Sequence, residues 1–225
     1  MEHKEFERVS QAILALFPPL TETEQRVSLA LYRLLAEGNA VSIDTLARSA
    51  RVASAQAKGI LSAQPDVHRD GGGRIIGYGG LTVAKTKHRI QIGRKILYTW
   101  CAWDTLFIPQ LLDVTAQVES TCPATGERVS LTIHPDRIGP AGECPPVSFV
   151  APDRDKASAD IVRHFCCHVQ YFATERAGSE WVSKHPEMRL ATLGQAWELG
   201  CRHIALRYPV AQQSGTTSPG QCPNS

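Results

Sequence analysis

Trp100-Cys101-Ala102-Trp103-Asp104 and Phe165-Cys166-Cys167-His168 are the segments of this chain whose residue types could do chemistry, with Cys166 lying 65 positions after Cys101. A thiolate is the softest ligand a side chain offers, and the ionised sulfur is the species that binds metal or attacks. A carboxylate three residues after such a thiol can take up and return a proton. Two distant thiols and one acid therefore predict a site that grips a soft metal atom and does acid–base work beside it.

Cys101 and Asp104 meet on one face only if the chain turns helically between them. Asp104-Thr105-Leu106 also reads as a helix start, so capping by Asp104 is the competing role, and the two roles are compatible. Read as a strand, residues 164–172 alternate between faces. Phe165, Cys167, Val169 and Tyr171 then share an apolar side, and His164, Cys166, His168 and Gln170 a more polar one. On that reading Cys166 is the working thiol and Cys167 a small core filler. Cys122 sits beside the Pro123–Gly126 turn and is read as structural. Cys144 lies in a Gly/Pro loop, Cys201 near a helix end and Cys222 in the tail. No CxxC pair suggests a structural zinc site, and Gly71–Gly73 lacks the spacing of a phosphate loop.

The elements that must position these residues fall into two parts. Phe6, Val9, Ile13, Leu16 and Phe17 recur at helical spacing until Pro18-Pro19; Val27, Leu31, Leu34 and Leu35 mark a second helix. Ser42 and Ser54 predict two further capped helices, and Gly71–Gly73 a hairpin after them. That is the order of a winged helix-turn-helix. The would-be recognition helix, residues 54–63, carries only Lys58 as a cation, so the reading is a packing module, with no nucleic acid expected. From Leu81 onward the pattern is mostly strands: one alternating over 83–90, others at 114–118, 129–133 and 147–150. A helix start at 105–112 and a helix over 179–201 complete it. The fold class expected is α+β: a winged-helix-like helical module packed on a mixed or antiparallel sheet with flanking helices. The boundaries expected are 1–80 for the module, 81–210 for the catalytic core and 211–225 for a disordered tail.

The bulk numbers agree with an ordinary globular protein. The chain has 225 residues, 43% hydrophobic and 20% charged, enough to bury a core, and its net charge of +2 argues for no nucleic acid. Met1-Glu2-His3-Lys4-Glu5 leads into no signal-peptide run, and no stretch reaches the ~18 apolar residues of a membrane helix. Seven cysteines without framework spacing suit a reducing compartment. A cytoplasmic location without membrane contact is the expectation.

The chain resembles the bacterial organomercurial lyases (alkylmercury lyases). The matching segments are Gly77-Tyr78-Gly79, residues 97–106 around Cys101, Cys122-Pro123-Ala124-Thr125-Gly126, residues 165–169 around Cys166, and Trp181-Val182-Ser183-Lys184-His185. The resemblance implies protonolysis of a carbon–mercury bond, giving a hydrocarbon and Hg(II). It implies Cys101 and Cys166 as mercury-binding thiols and Asp104 as the proton-handling acid; the order expected is Cys101 first, Cys166 second, then Asp104 as donor to carbon, with Asp104 near the Hg(II) product. Cys167 and Cys122 fall on its structural positions. No cofactor is implied. The partners are an organomercurial substrate, cellular thiols for release, and a mercuric reductase as acceptor of Hg(II). Trp100, Trp103 and Phe107 could wall a slot for the organic group, although Trp103 is bulkier than the aliphatic residue expected there. The alternative function is a thiol-based, metal-sensing winged-helix transcriptional regulator.

Overall fold

Four helices open the chain, and short polar side chains set most of their ends. The computed structural model describes residues 1–64, 66–139 and 144–209. In it α1 spans His3–Leu14, α2 Glu22–Ala36, α3 Ile43–Ala50 and α4 Ser54–Ser62. Phe6, Val9 and Ile13 bury one side of α1, at the expected spacing. Thr21 and Glu24 close a reciprocal capping box at the start of α2, and Ser42 caps α3 by accepting the Thr45 N–H. Ser54 departs from its expected role. Ala53 holds the cap position of α4, and the Ser54 hydroxyl donates to Asp44 Oδ1 at 2.8 Å.

The hairpin expected after these helices is β1 (Val67–Arg69) and β2 (Ile75–Tyr78). Its loop is held by the Asp70 carboxylate, which accepts the backbone N–H of Gly72 and Arg74. β3 (Leu81–Thr82), β4 (His88–Ile92), β5 (Lys95–Thr99), β6 (Ala116–Thr121) and β7 (Arg128–Ile133) extend the same sheet, in the order β1-β2-β3-β5-β4-β6-β7. Every neighbouring pair is antiparallel. The hairpin is thus one edge of the central sheet as well as the end of the helical module. α5 (Asp104–Leu112) follows β5 after a four-residue turn.

β8 (Val147–Val150) and β9 (Met188–Ala191) form a second, two-stranded sheet. Between them lie α6 (Arg154–Ala159), α7 (Ile161–His164), a 3₁₀ turn at Cys166–His168 and α8 (Glu175–Val182); α9 (Leu193–Arg207) follows β9. Two expectations are corrected here. The helix read over 179–201 is two helices separated by β9: Pro186 ends the first, and the Thr192–Gln195 capping box starts the second. The strand read over 164–172 is a helix end and a 3₁₀ turn, because Asp160 caps α7 by accepting the Arg163 N–H. Only Tyr171 makes a strand-like bridge, to Val147.

One hydrophobic cluster runs from Phe6 in α1 to Tyr208 after α9, so the helical module shares its core with the sheet. The module is also tied down by polar contacts. The Tyr32 hydroxyl donates to Gly79 O at 2.7 Å, and Arg202 forks onto Glu7 at 2.7 and 2.9 Å. Among the described residues no helix is long and apolar enough to cross a membrane. The expected tail, with Cys222, lies outside the described residues.

Candidate active site

Backbone geometry brings the two cysteine segments together. The Ala102 N–H donates to Val169 O at 3.1 Å, joining the turn after β5 to the residue that follows the 3₁₀ turn. On its other side that segment is stitched to β8: Ser148 N–H donates to Gln170 O at 3.0 Å, and Gln170 N–H to Ser148 Oγ at 3.1 Å. Cys101 and Cys166 therefore face each other from elements clamped to both sheets. Among the described residues, Cys101 Sγ, Cys166 Sγ and an Asp104 carboxylate oxygen form a set of possible metal ligands within 4.8 Å of one another. All three residues are buried, at 0%, 3% and 5% exposure.

Asp104 is the first residue of α5, not its cap, and Trp103 occupies the cap position. Its Oδ2 accepts the Cys101 N–H at 2.9 Å, so the acid reaches back across the turn to the thiol's own backbone. Burial pushes the Asp104 carboxyl up to about 7, against hydrogen bonds from Cys101 and Trp100 that favour the anion. A carboxyl poised there changes protonation at neutral pH, as acid–base work demands. Burial, a hydrogen bond to Cys166 and the charge of Asp104 push the Cys101 thiol well above the ordinary thiol range. At Cys166 the hydrogen bond from Cys101 favours the thiolate, but burial and Asp104 outweigh it, and the net shift is also upward. Both upward shifts favour the protonated thiols at neutral pH.

Cys167, read as a core filler, is exposed, and its thiol donates to Arg163 O at 2.9 Å. Cys166 is the buried one. The alternation that suggested the choice between them does not exist. Cys122 is buried at the turn after β6, away from the Cys101–Asp104–Cys166 set; Cys144 is exposed.

A small cavity of ≈ 20 Å³ opens beside the set, with Trp100, Trp103, Phe107, Asp104 and Cys166 in its wall. The aromatics expected to wall a slot for the organic group do line it, but its volume is that of about one water molecule. Cys101 is not among its lining residues. Trp103 is fully buried and packs on Phe107, Phe149, Phe165 and His203 with centroids 5.0 to 6.5 Å apart. His203 stays a neutral imidazole, because burial and then Arg207 push it down to about 3.

Sequence reasoning missed several wall residues: Phe17 and Tyr32 from the helical module, Asp66, Gly80, and His203, Arg207 and Tyr208 from the last helix and its end. One of them carried a signal, the Gly79-Gly80 pair. Gly80 has φ +95, and a Cβ there would lie 2.4 Å from Asp104 Cγ. Only glycine lets the β2–β3 connection press so closely on the acid. Gly80→Ala should lower kcat about 100-fold by displacing Asp104, with KM changing less. It should also cost about 1–3 kcal/mol of stability through the positive φ and the clash. Steady-state kinetics with thermal melts check this; a wild-type kcat would show that the acid tolerates the displacement.

Helices leading into an antiparallel sheet enclose a buried cluster of two thiols and a carboxyl, a set of possible metal ligands. Residues 81–204 match the family model described as alkylmercury lyase, and residues 7–79 that of the helix-turn-helix domain of alkylmercury lyase. The chain belongs to the alkylmercury lyase family. The alkylmercury lyase of Staphylococcus epidermidis is 37% identical, over 86% of this chain and 86% of its own. That of Streptomyces lividans is 38% identical over 85% and 86%, and that of Pseudomonas putida 38% over 76% and 79%. A crystal structure described as the mercury-bound form of MerB2 aligns with a TM-score of 0.70 at 22% identity, covering 89% of this chain and 97% of that one. At that identity the likeness is one of fold.

Proposed function

We propose that the protein cleaves the carbon–mercury bond of organomercurials by protonolysis, with Cys101, Cys166 and Asp104 as the reacting groups. The observation that carries this is the single buried set of two sulfurs and one carboxyl oxygen within 4.8 Å. Mercury prefers sulfur to nitrogen or oxygen, so two converging thiols suit it.

Cys166 borders the cavity and Cys101 does not, and Cys101 hydrogen-bonds to Asp104. Cys166 is therefore the first thiol to meet R–Hg–X, the reverse of the order expected from the sequence. Its sulfur bonds to mercury and its proton leaves with X. Cys101 then gives its proton to the Asp104 carboxylate and bonds mercury as a thiolate. The second sulfur pushes electron density through the metal onto carbon. Asp104 delivers the proton to that carbon, the C–Hg bond breaks, and R–H departs. Hg(II) remains on two sulfurs beside the regenerated carboxylate until small thiols, or a mercuric reductase, take it. No resident cofactor has a role in this sequence.

The test supplies phenylmercury with an excess of small thiol and follows benzene by gas chromatography. Catalytic benzene release is the expected result. Binding of mercury without benzene would reduce the protein to a metal-sequestering module.

A further inference from the structure

The cavity beside the reacting groups has room for about one water molecule, since its volume is ≈ 20 Å³. A phenyl group does not fit there while the wall stands as it does. A second cavity of ≈ 170 Å³ lies directly behind it, and Phe17, Asp66, Ile161 and Arg207 line both. About 150 Å³ of apolar space is enough to hold a benzene molecule. The remaining wall is apolar over Leu16, Pro18, Pro19, Leu20, Ala63 and Ala157, with Glu24, Gln64 and Ser158 as its polar members.

Phe17 is the aromatic residue shared by the two walls. It follows the end of α1 and precedes Pro18-Pro19, outside any helix, and is only half-buried. Its ring sits edge-on to His203 at 4.9 Å, and the Arg207 guanidinium lies over it at 5.6 Å. Arg207 itself is buried, at 6% exposure. A guanidinium held over a ring face gains from that aromatic partner. Another aromatic ring can supply the same contact if Phe17 swings away.

We propose that the aryl ring of an arylmercury substrate takes the place of Phe17 beneath Arg207 and occupies the second cavity, while its mercury-bearing carbon stays beside Asp104. Phe17 and this cavity then set the size of organic group the enzyme accepts. Small alkyl groups react in the first cavity alone. The inference rests on the organomercurial reading above.

The experiment measures kcat/KM of the full chain for phenylmercury and methylmercury, with excess small thiol. It compares wild type with Ala63→Trp and Ser158→Trp, which fill the second cavity from two exposed positions on its rim, and with Phe17→Ala, which removes the partition. Both tryptophan variants should lower the phenyl-to-methyl ratio about tenfold or more, and Phe17→Ala should raise it. Ratios within twofold of wild type in all three variants would overturn the proposal. So would equal slowing of both substrates in the tryptophan variants, which would assign the cavity to the departing thiol. Circular dichroism of each variant establishes that it is folded. If the wild type turns over neither substrate, the lyase reading fails instead; if methylmercury is turned over and the ratios stay put, only this inference does.

Discussion

Cys101→Ser given phenylmercury should accumulate a protein–mercury–phenyl adduct and release almost no benzene. The reason is geometric: Cys166 borders the cavity and remains able to capture mercury, while the sulfur that would activate the carbon is gone. A serine hydroxyl is a hard, weak ligand for mercury and cannot replace it. Cys166→Ala should lose at least as much turnover and form the adduct far more slowly, because the surviving thiol is fully buried behind the wall. Each loss should be about 1,000-fold or more, since groups that act as a unit fail together. Cys167→Ser should retain nearly full activity, its thiol being exposed and bonded only to Arg163 O among the contacts at that position. Intact-mass spectrometry after single turnover reads all three. An adduct that forms readily on Cys166→Ala and not on Cys101→Ser would restore the opposite order of attack.

Asp104→Asn should separate activity from stability. Turnover should fall by about 100- to 10,000-fold, the usual worth of a positioned acid–base group. In the wild type kcat/KM should rise with pH through about 7, where Asp104 becomes the carboxylate that accepts the Cys101 proton. The residual activity of the asparagine variant should show no inflection there, and one that persisted would belong to another group. Stability should move the other way. The folded-state value of about 7 lies above the ordinary 3.8, so this group's stabilising share is complete below 3.8 and is lost as pH rises through 7. Above that, the folded protein carries a buried carboxylate worth on the order of 4 kcal/mol of destabilisation. Asparagine keeps the acceptor for the Cys101 N–H without the charge. Denaturant melts at pH 5 and 8.5 should show the variant gaining on wild type by clearly more at the higher pH, since the loss begins above 3.8 and is complete only above about 7. Equal gaps at both would mean that charge burial is not the cause.

These expectations draw on both the one-dimensional pattern and its folding, and the two contributed differently. The helices of the N-terminal third were legible because Ser42, Pro18-Pro19 and the apolar spacing of α1 and α2 act locally. The hairpin and strands β6, β7 and β8 were legible from turn residues and period-two runs, with ends displaced by a few residues. The segment after Asp160 was not. A short run such as Phe165-Cys166-Cys167-His168-Val169 suits a strand or a tight turn equally, and Asp160 decided it by capping a helix just upstream. The face argument that singled out Cys166 therefore fails, and its place in the buried set rests on the turn instead.

By itself the sequence singled out Cys101, Asp104 and Cys166 as candidates, because soft-metal chemistry admits few side chains, and the fold brings their ligand atoms within 4.8 Å of one another. Only the tertiary structure decided which thiol meets the cavity, how far burial lifts Asp104, and that Gly80, Phe17 and Arg207 belong to the same site. Those are properties of distance and solvent exclusion between segments far apart in the chain, and no local pattern encodes them.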